Sequence, residues 1–293
     1  MNVDNITAPG GFTSGVSDEA YHADPIPGGS LSSTFARLLT DNVPAKAYEL
    51  RRNRKPTKSM NLGKAAHAHA LGAGPLLIVW QHDGRTKDGK AERAEYADML
   101  ATEAAVAVSE AERDQIIGMA TALRESSIVA KILDESEAEV SGFWQEDGVW
   151  CRARYDLLGE RAAWDYKTCT DASRRGFSKA MANYGYHQQA EFYRRGLQAL
   201  GHPAARTPLR FICQEVTAPY LVQIHTPDDL SIEVAKELND RAIRIYAESM
   251  STGLWAGFDG MHAEPTPLPG YYFFDRDDVL SESWRVPSEE ITV

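Results

Sequence analysis

Cysteine is scarce in this 293-residue chain and poorly spaced for metal: Cys151, Cys169 and Cys213 form no Cys-x-x-Cys pair. A zinc knuckle and a four-cysteine iron–sulfur cluster are thereby excluded, and free buried thiols are the expectation. Long apolar runs are missing too; nothing approaches the roughly 20 residues that cross a bilayer. No basic stretch followed by an apolar one opens the chain, and residues 1–29 are rich in Gly, Pro, Ser and Asp instead. That predicts a soluble protein that stays in the cytoplasm. Positive charge is in deficit, with 31 Lys and Arg against 42 Asp and Glu, a formal net charge of −11. Such a balance argues against a protein that coats nucleic acid non-specifically, because a polyanion is repelled at long range, yet it permits a locally basic channel.

The charge that is present is unevenly placed. Lys46, Arg51, Arg52, Arg54, Lys55, Lys58 and Lys64 crowd one stretch with Glu49 as the counterweight, whereas Asp275, Asp277, Asp278, Glu282, Glu289 and Glu290 make the end acidic. The basic stretch reads either as a solvated face or as the lining of an entrance for a polyanion. Length and hydrophobic content suit one domain with appendages. We expect a flexible segment over 1–25, a domain over 26–255 with a helical part (30–135) and a core (136–252), and an acidic tail over 256–293.

Local patterns give the element order. Helices are predicted at 31–41, capped by Ser30 or Ser32, after Pro44, and at 59–71, the last carrying His67 on an alanine-rich stretch. An apolar run at 75–80 precedes a polar loop at 81–90. Helices follow at 91–104 and 108–124, where Ile116, Met119, Ala120 and Leu123 form a core stripe. From 137 the period changes to two: strands at 138–145, 149–158 and 161–168, with turns at Glu146-Asp147-Gly148 and Gly159-Glu160, imply an antiparallel meander. Helices at 172–182 and 185–200, strands at 208–215 and 219–225, and a long helix at 228–251 complete an α/β or α+β sandwich.

Several side chains could carry chemistry. Asp165 and Lys167 share one face of the third meander strand. Asp156 lies near the end of the strand before it, and the short turn brings it toward Asp165. Two converging carboxylates repel unless a divalent cation sits between them, and hard oxygen ligands favour Mg²⁺ or Mn²⁺. A metal there would serve phosphodiester hydrolysis, with Lys167 orienting water or stabilising developing charge. Taken alone, an Asp-x-Lys on a strand also describes an ordinary surface ion pair. Glu139 opens the first meander strand; Arg152 and Arg154 share the face of Asp156 and suit a phosphate next to metal. Gln189 and Tyr193, four apart on a helix, could contact a phosphate or a base, though Tyr193 equally continues a core stripe with Ala190, Leu197 and Leu200. His67 and His69 diverge, so at most one faces a given site, with Gly63 clearing room one turn before His67; a lone histidine on such a helix is more often structural.

Six motifs in order, PGGSLSSTFARLL, LGKAAHAHALG, AEVSGFW, GVWCRARYDLL, AWDYKT and QAEFY, together resemble the RecE/RecB-like branch of the PD-(D/E)xK nucleases, above all the phage and prophage RecE-type exonuclease domains, over residues 25–250. The resemblance implies a restriction-endonuclease-like α/β core with a central mixed sheet flanked by helices. It assigns metal binding to His67, Asp156 and Asp165, catalysis to Lys167 with Asp165, Asp156 and Glu139, and DNA contact to Gln189 and Tyr193. Arg152, Arg154, Arg51, Arg52, Arg54 and Lys55 are the further candidates for DNA contact. Tyr155 stands where relatives often have proline, and Tyr166 where they have a smaller aliphatic residue; neither change removes a ligand. The implied activity is Mg²⁺- or Mn²⁺-dependent digestion of double-stranded DNA ends, 5′ to 3′, leaving single-stranded tails for a phage-type annealing protein. Ring-shaped homo-oligomers, trimeric or tetrameric, go with that activity, as does the cytoplasm of a bacterial host. An inactive nuclease-fold binding module, such as an inhibitor of a host defence complex, and an endonuclease or single-strand nuclease of the same fold are the alternatives.

Overall fold

The computed structural model describes residues 10–53, 65–67, 69–72, 76–102, 105–258 and 265–269. The chain divides into two units, Met1–Gly257 and Phe258–Val293, and the second adds only residues 258 and 265–269 to the described part. Most of the expected acidic tail therefore lies outside the described residues.

In chain order the first unit runs β1 (Gly11–Thr13), α1 (Asp18–His22), β2 (Leu31–Ser32), α2 (Ser33–Asp41) and α3 (Pro44–Arg52). Residues 65–67, which include His67, and residues 69–70 are helical. Next come β3 (Leu76–Val79), α4 (Lys87–Glu95), α5 (Ala97–Ala101), β4 (Ala105–Val108), α6 (Glu110–Glu125) and α7 (Ser127–Glu135). The centre is β5 (Ser136–Glu146), β6 (Val149–Gly159) and β7 (Ala163–Cys169), followed by α8 (Arg174–Tyr184), α9 (Tyr186–Ala199), β8 (Arg210–Glu215), β9 (Val222–His225) and α10 (Asp229–Thr252).

Asp147 and Gly148 both have positive φ, 49° and 78°, the backbone a two-residue hairpin turn requires and the reason an Asp-Gly pair marks one. The turn closes the long β5–β6 hairpin, and β7 extends it antiparallel as the period-two pattern predicts. β8 then joins β7 in parallel and β9 returns antiparallel, which makes the sheet mixed, in the order β1-β5-β6-β7-β8-β9 with β2 beside β6. A separate small sheet pairs β3 with β4 in parallel.

Helices flank the main sheet. α9 lays Ala190, Phe192, Tyr193 and Leu197 on it, and the core fills with Trp144, Tyr155, Phe211, Phe35 and Tyr246. Close approach depends on Gly196: a Cβ there would fall 2.7 Å from the Trp144 ring and 2.8 Å from the Tyr155 hydroxyl. Tyr155, the residue in place of proline, is fully buried and donates to the Tyr193 carbonyl at 2.9 Å. Tyr166 points to the opposite core and donates to Gln214 Oε1.

Four expectations are corrected. Ordered structure begins before residue 25, because β1 pairs with β5 through Gly11–Thr13. The loop at 81–90 ends in helix, as Thr86 caps α4 by accepting from the Gly89 N–H. The helix expected at 91–104 is two short ones followed by a strand. α7 was not anticipated, although Val129 and Ile132 are three apart and both buried. Ser32, of the two serines considered, caps α2, accepting from the Phe35 N–H.

Candidate metal centre and active site

β6 and β7 pair only at Leu157↔Trp164 and Leu158↔Ala163. The next positions in that register are Asp156 and Asp165, where the strands part. The freed backbone N–H of Tyr166 donates to Asp156 Oδ2 at 2.8 Å, so a side-chain carboxylate replaces the ladder acceptor and the buried donor stays satisfied. Across the other edge of β6, Glu139 lies opposite Asp156, between the pairs Ala138↔Leu157 and Val140↔Tyr155. Glu139 has φ 56°, a conformation that costs a side-chain-bearing residue about 1–3 kcal/mol and persists where the surroundings impose it.

His67 reaches this point from a helical stretch whose neighbours Ala65, Ala66 and Ala70 are buried. Its Nε2 is 2.8 Å from Asp156 Oδ2 and its Nδ1 is 3.6 Å from Glu139 Oε1. His67, Glu139 and Asp156 each offer a ligand atom within 4.8 Å of the others. Asp165 stands outside that trio: its Oδ1 accepts from Gln189 Nε2 at 2.6 Å, and Lys167 Nζ is 2.6 Å from its Oδ2. The Lys167 ammonium is thus the charged partner of Oδ2, as the Gln189 amide is the partner of Oδ1. Lys167 Nζ also lies 5.0 Å over the Tyr186 ring.

Charge at the site follows this geometry. Burial pushes Asp165 up to about 6, helped by the nearby Asp156 charge and opposed by Lys167. Burial also acts to raise Asp156, but His67, Lys167 and the Tyr166 N–H outweigh it and hold that carboxyl below its ordinary value. Burial alone would lower His67; Asp156, Glu139 and Asp165 reverse this and raise it to about 9. Lys167 is likewise raised against its own burial by Asp165 and Asp156. Without metal, then, an imidazolium bridges two carboxylates. Two carboxylates and an imidazole, each with a ligand atom within 4.8 Å of the others, fit a divalent cation.

A model of the family described as "PDDEXK-like domain of unknown function (DUF3799)" matches residues 32–251. The chain belongs to this PDDEXK-like family. Asp156 and Asp165-Tyr166-Lys167 lie within the matched residues. Among solved structures, the chain is similar to one named "Putative exonuclease", from Eubacterium rectale, with TM-score 0.60 and 10% identity over 88% of this chain and 97% of that one. A second, "Crystal structure of SSO0001", covers 65% of this chain and 87% of its own at 15% identity, with a TM-score of 0.26, too low to indicate a shared fold. No curated protein matches.

The structure thus gathers His67, Glu139, Asp156, Asp165, Lys167 and Gln189 within the PDDEXK-like core. The other candidates divide. Arg152 is buried, bonded to the Ser30 carbonyl and hydroxyl and 2.7 Å from Asp24 Oδ2. Arg51 pairs with the same Asp24 oxygen at 2.9 Å and covers the Phe35 ring. Arg154 stays beside the centre, its Nε 3.9 Å from Glu139 Oε2, while it also bonds to Ser141 and the Val16 carbonyl and lies 4.2 Å over Tyr21. For Arg152 and Arg51, whose guanidinium groups are committed to Asp24, the expected DNA contact gives way to an internal role. Tyr193 is 7% exposed and packs edge-on against Tyr155, so the core stripe prevails over base stacking; its hydroxyl meets the Gln189 side chain. Arg52 is exposed beside Tyr48. Arg54, Lys55, Lys58, Gly63 and Lys64 lie outside the described residues. Sequence reasoning named Glu139 as catalytic but not as part of a candidate metal group, and missed Tyr186 altogether; the positive φ of Glu139 has no sequence signature, whereas the aromatic beside Gly185 was a usable signal.

Proposed function

We propose that the protein is a divalent-metal-dependent nuclease that hydrolyses phosphodiester bonds of linear double-stranded DNA from its ends, 5′ to 3′, with Mg²⁺ or Mn²⁺ as the metal. The observation that carries this reading is the Asp165–Lys167 pair at 2.6 Å beside His67, Glu139 and Asp156, three potential ligands from three separate elements. A divalent cation held by that trio supplies Lewis acidity toward a phosphoryl oxygen and lowers the pKa of water. Lys167 presents an ammonium that Asp165 keeps protonated, aimed where negative charge develops on the phosphate. Gln189 grips the other Asp165 oxygen, so the carboxylate cannot swing away from Lys167. The RecE-like motifs and a structural neighbour with exonuclease in its name support end-directed digestion, and a ring-shaped oligomer serving a single-strand annealing partner goes with the same reading.

The test is release of nucleotides from linear duplex DNA with Mg²⁺ or with EDTA, using open ends and hairpin-closed ends. Metal-dependent loss of open-ended DNA, with closed DNA spared, is the expected result. Equal digestion of both would make the protein an endonuclease, and no digestion by folded protein would favour a binding module of the same fold.

A further inference from the structure

Tyr184, Gly185 and Tyr186 join α8 to α9. Gly185 has φ 69°, a left-handed turn, and a Cβ there would also fall 2.5 Å from the Arg37 side chain, so the position requires glycine. With this turn between them, the two tyrosine rings approach to 5.7 Å, tilted by 32°. Tyr186 is stacked on Phe211 at 5.4 Å and Phe177 at 6.1 Å, and the Lys167 ammonium lies 5.0 Å over its ring. Tyr184 has no other ring partner among the described residues and is 60% exposed. Lys167, Tyr186 and Tyr184 therefore make a continuous line from the site to solvent.

One exposed tyrosine is ordinary on a protein surface. This one differs because its ring continues a stack that ends at Lys167, and because of the helix it closes. α8 carries Arg174, Arg175 and Lys179, all exposed, and no acidic residue, in a chain whose net charge is −11. Aromatic faces and backbone-directed cations on one element are the two components of single-strand binding surfaces.

We propose that Tyr184 and Tyr186 form a stacking platform for an unpaired nucleobase beside the phosphate at Lys167, with the cations of α8 on the backbone of the same strand. The inference rests on the nuclease reading above and specifies its substrate: a base inside a duplex has both faces covered by its neighbours, so the platform takes a frayed or single-stranded end.

The test is binding by the full chain in EDTA, where nothing is cleaved, to duplexes carrying aminopurine either at an unpaired terminal position or at a paired position next to a hairpin-closed end. Wild type should bind the frayed duplex more tightly and quench its fluorescence. Tyr184→Ala, a change at an exposed position, should weaken binding of the frayed duplex about tenfold and abolish quenching, with the closed duplex unaffected; Tyr184→Trp should restore both. If Tyr184→Ala binds and quenches as wild type does, or loses affinity for both duplexes equally, the platform is overturned while digestion by wild type keeps the nuclease reading. Failure of wild type to bind or digest any DNA overturns both.

Discussion

Glu139 and Asp156 face each other across the β5–β6 hairpin, and Glu139 does so with a φ of 56°. A glutamate in the left-handed region carries a backbone cost, while the charge of the pair is met in the metal-free fold by His67, which lies between the two carboxylates. A cation shared with His67 would take over that role.

Two replacements separate the backbone cost from the ligand. Glu139→Ala and Glu139→Gly both remove the carboxylate, but only glycine accepts the positive φ freely. Metal affinity should fall equally in the two, with Glu139→Gly more stable than Glu139→Ala by about 1 kcal/mol. Calorimetric metal titration and chemical denaturation measure the two effects, and equal stabilities would remove strain from the account.

Lys167→Ala should lower cleavage by about 10²-fold or more while the protein stays folded. It also leaves Asp165 buried without its cation, so the Asp165 carboxyl should titrate above its present value of about 6. Asp165→Asn should be as inactive, yet should not show that titration. Rates under metal saturation, with NMR titration of the metal-free variants, distinguish the two roles.

His67 sets the behaviour of the metal-free protein with pH. Its pKa is raised in the fold from 6.5 to about 9, so its contribution to stability is fully present below about pH 6.5 and is lost as pH rises through about 9. In EDTA, wild type should lose stability across that window and His67→Ala should not. Because a cation must displace the same proton, metal affinity should rise over the same range. Melting curves and metal titrations from pH 6 to 10 check both, and a flat wild-type response would place His67 outside the centre.

Arg152 and Arg51 converge on one oxygen of Asp24, 2.7 Å and 2.9 Å away. Arg152→Met removes one of two cations from that carboxylate, which keeps Arg51 and the Ser30 N–H and hydroxyl, and should cost about 1–3 kcal/mol of stability. Since Arg152 is buried, the slope of DNA affinity against salt should stay as in wild type. A reduced slope in the folded variant would return Arg152 to the DNA interface.

Much of this was legible in the chain. The period-two segments around Asp147-Gly148 mark the β5–β6–β7 meander, because alternation and turn chemistry are local properties. The helices around Leu39, Leu197 and Ile243 follow from apolar spacing, and the spacing of Asp165 and Lys167 places both side chains on one strand face. The ordered motifs around His67, Asp156 and Gln189 identify the PDDEXK-like family, although no single one of them suffices.

What only the tertiary structure decided are relationships between residues far apart in sequence. The parting of β6 and β7 sends the Tyr166 N–H to the Asp156 carboxylate. The packing of α9 turns Tyr193 inward and leaves Gln189 to hold Asp165. Asp24 claims Arg51 and Arg152, which sequence alone shows only as exposed-looking cations near acids. Identity and periodicity determine which side chains share a face; whether such a side chain meets solvent, a metal or another buried charge depends on what the rest of the chain brings against it, and that is set by packing rather than by spacing.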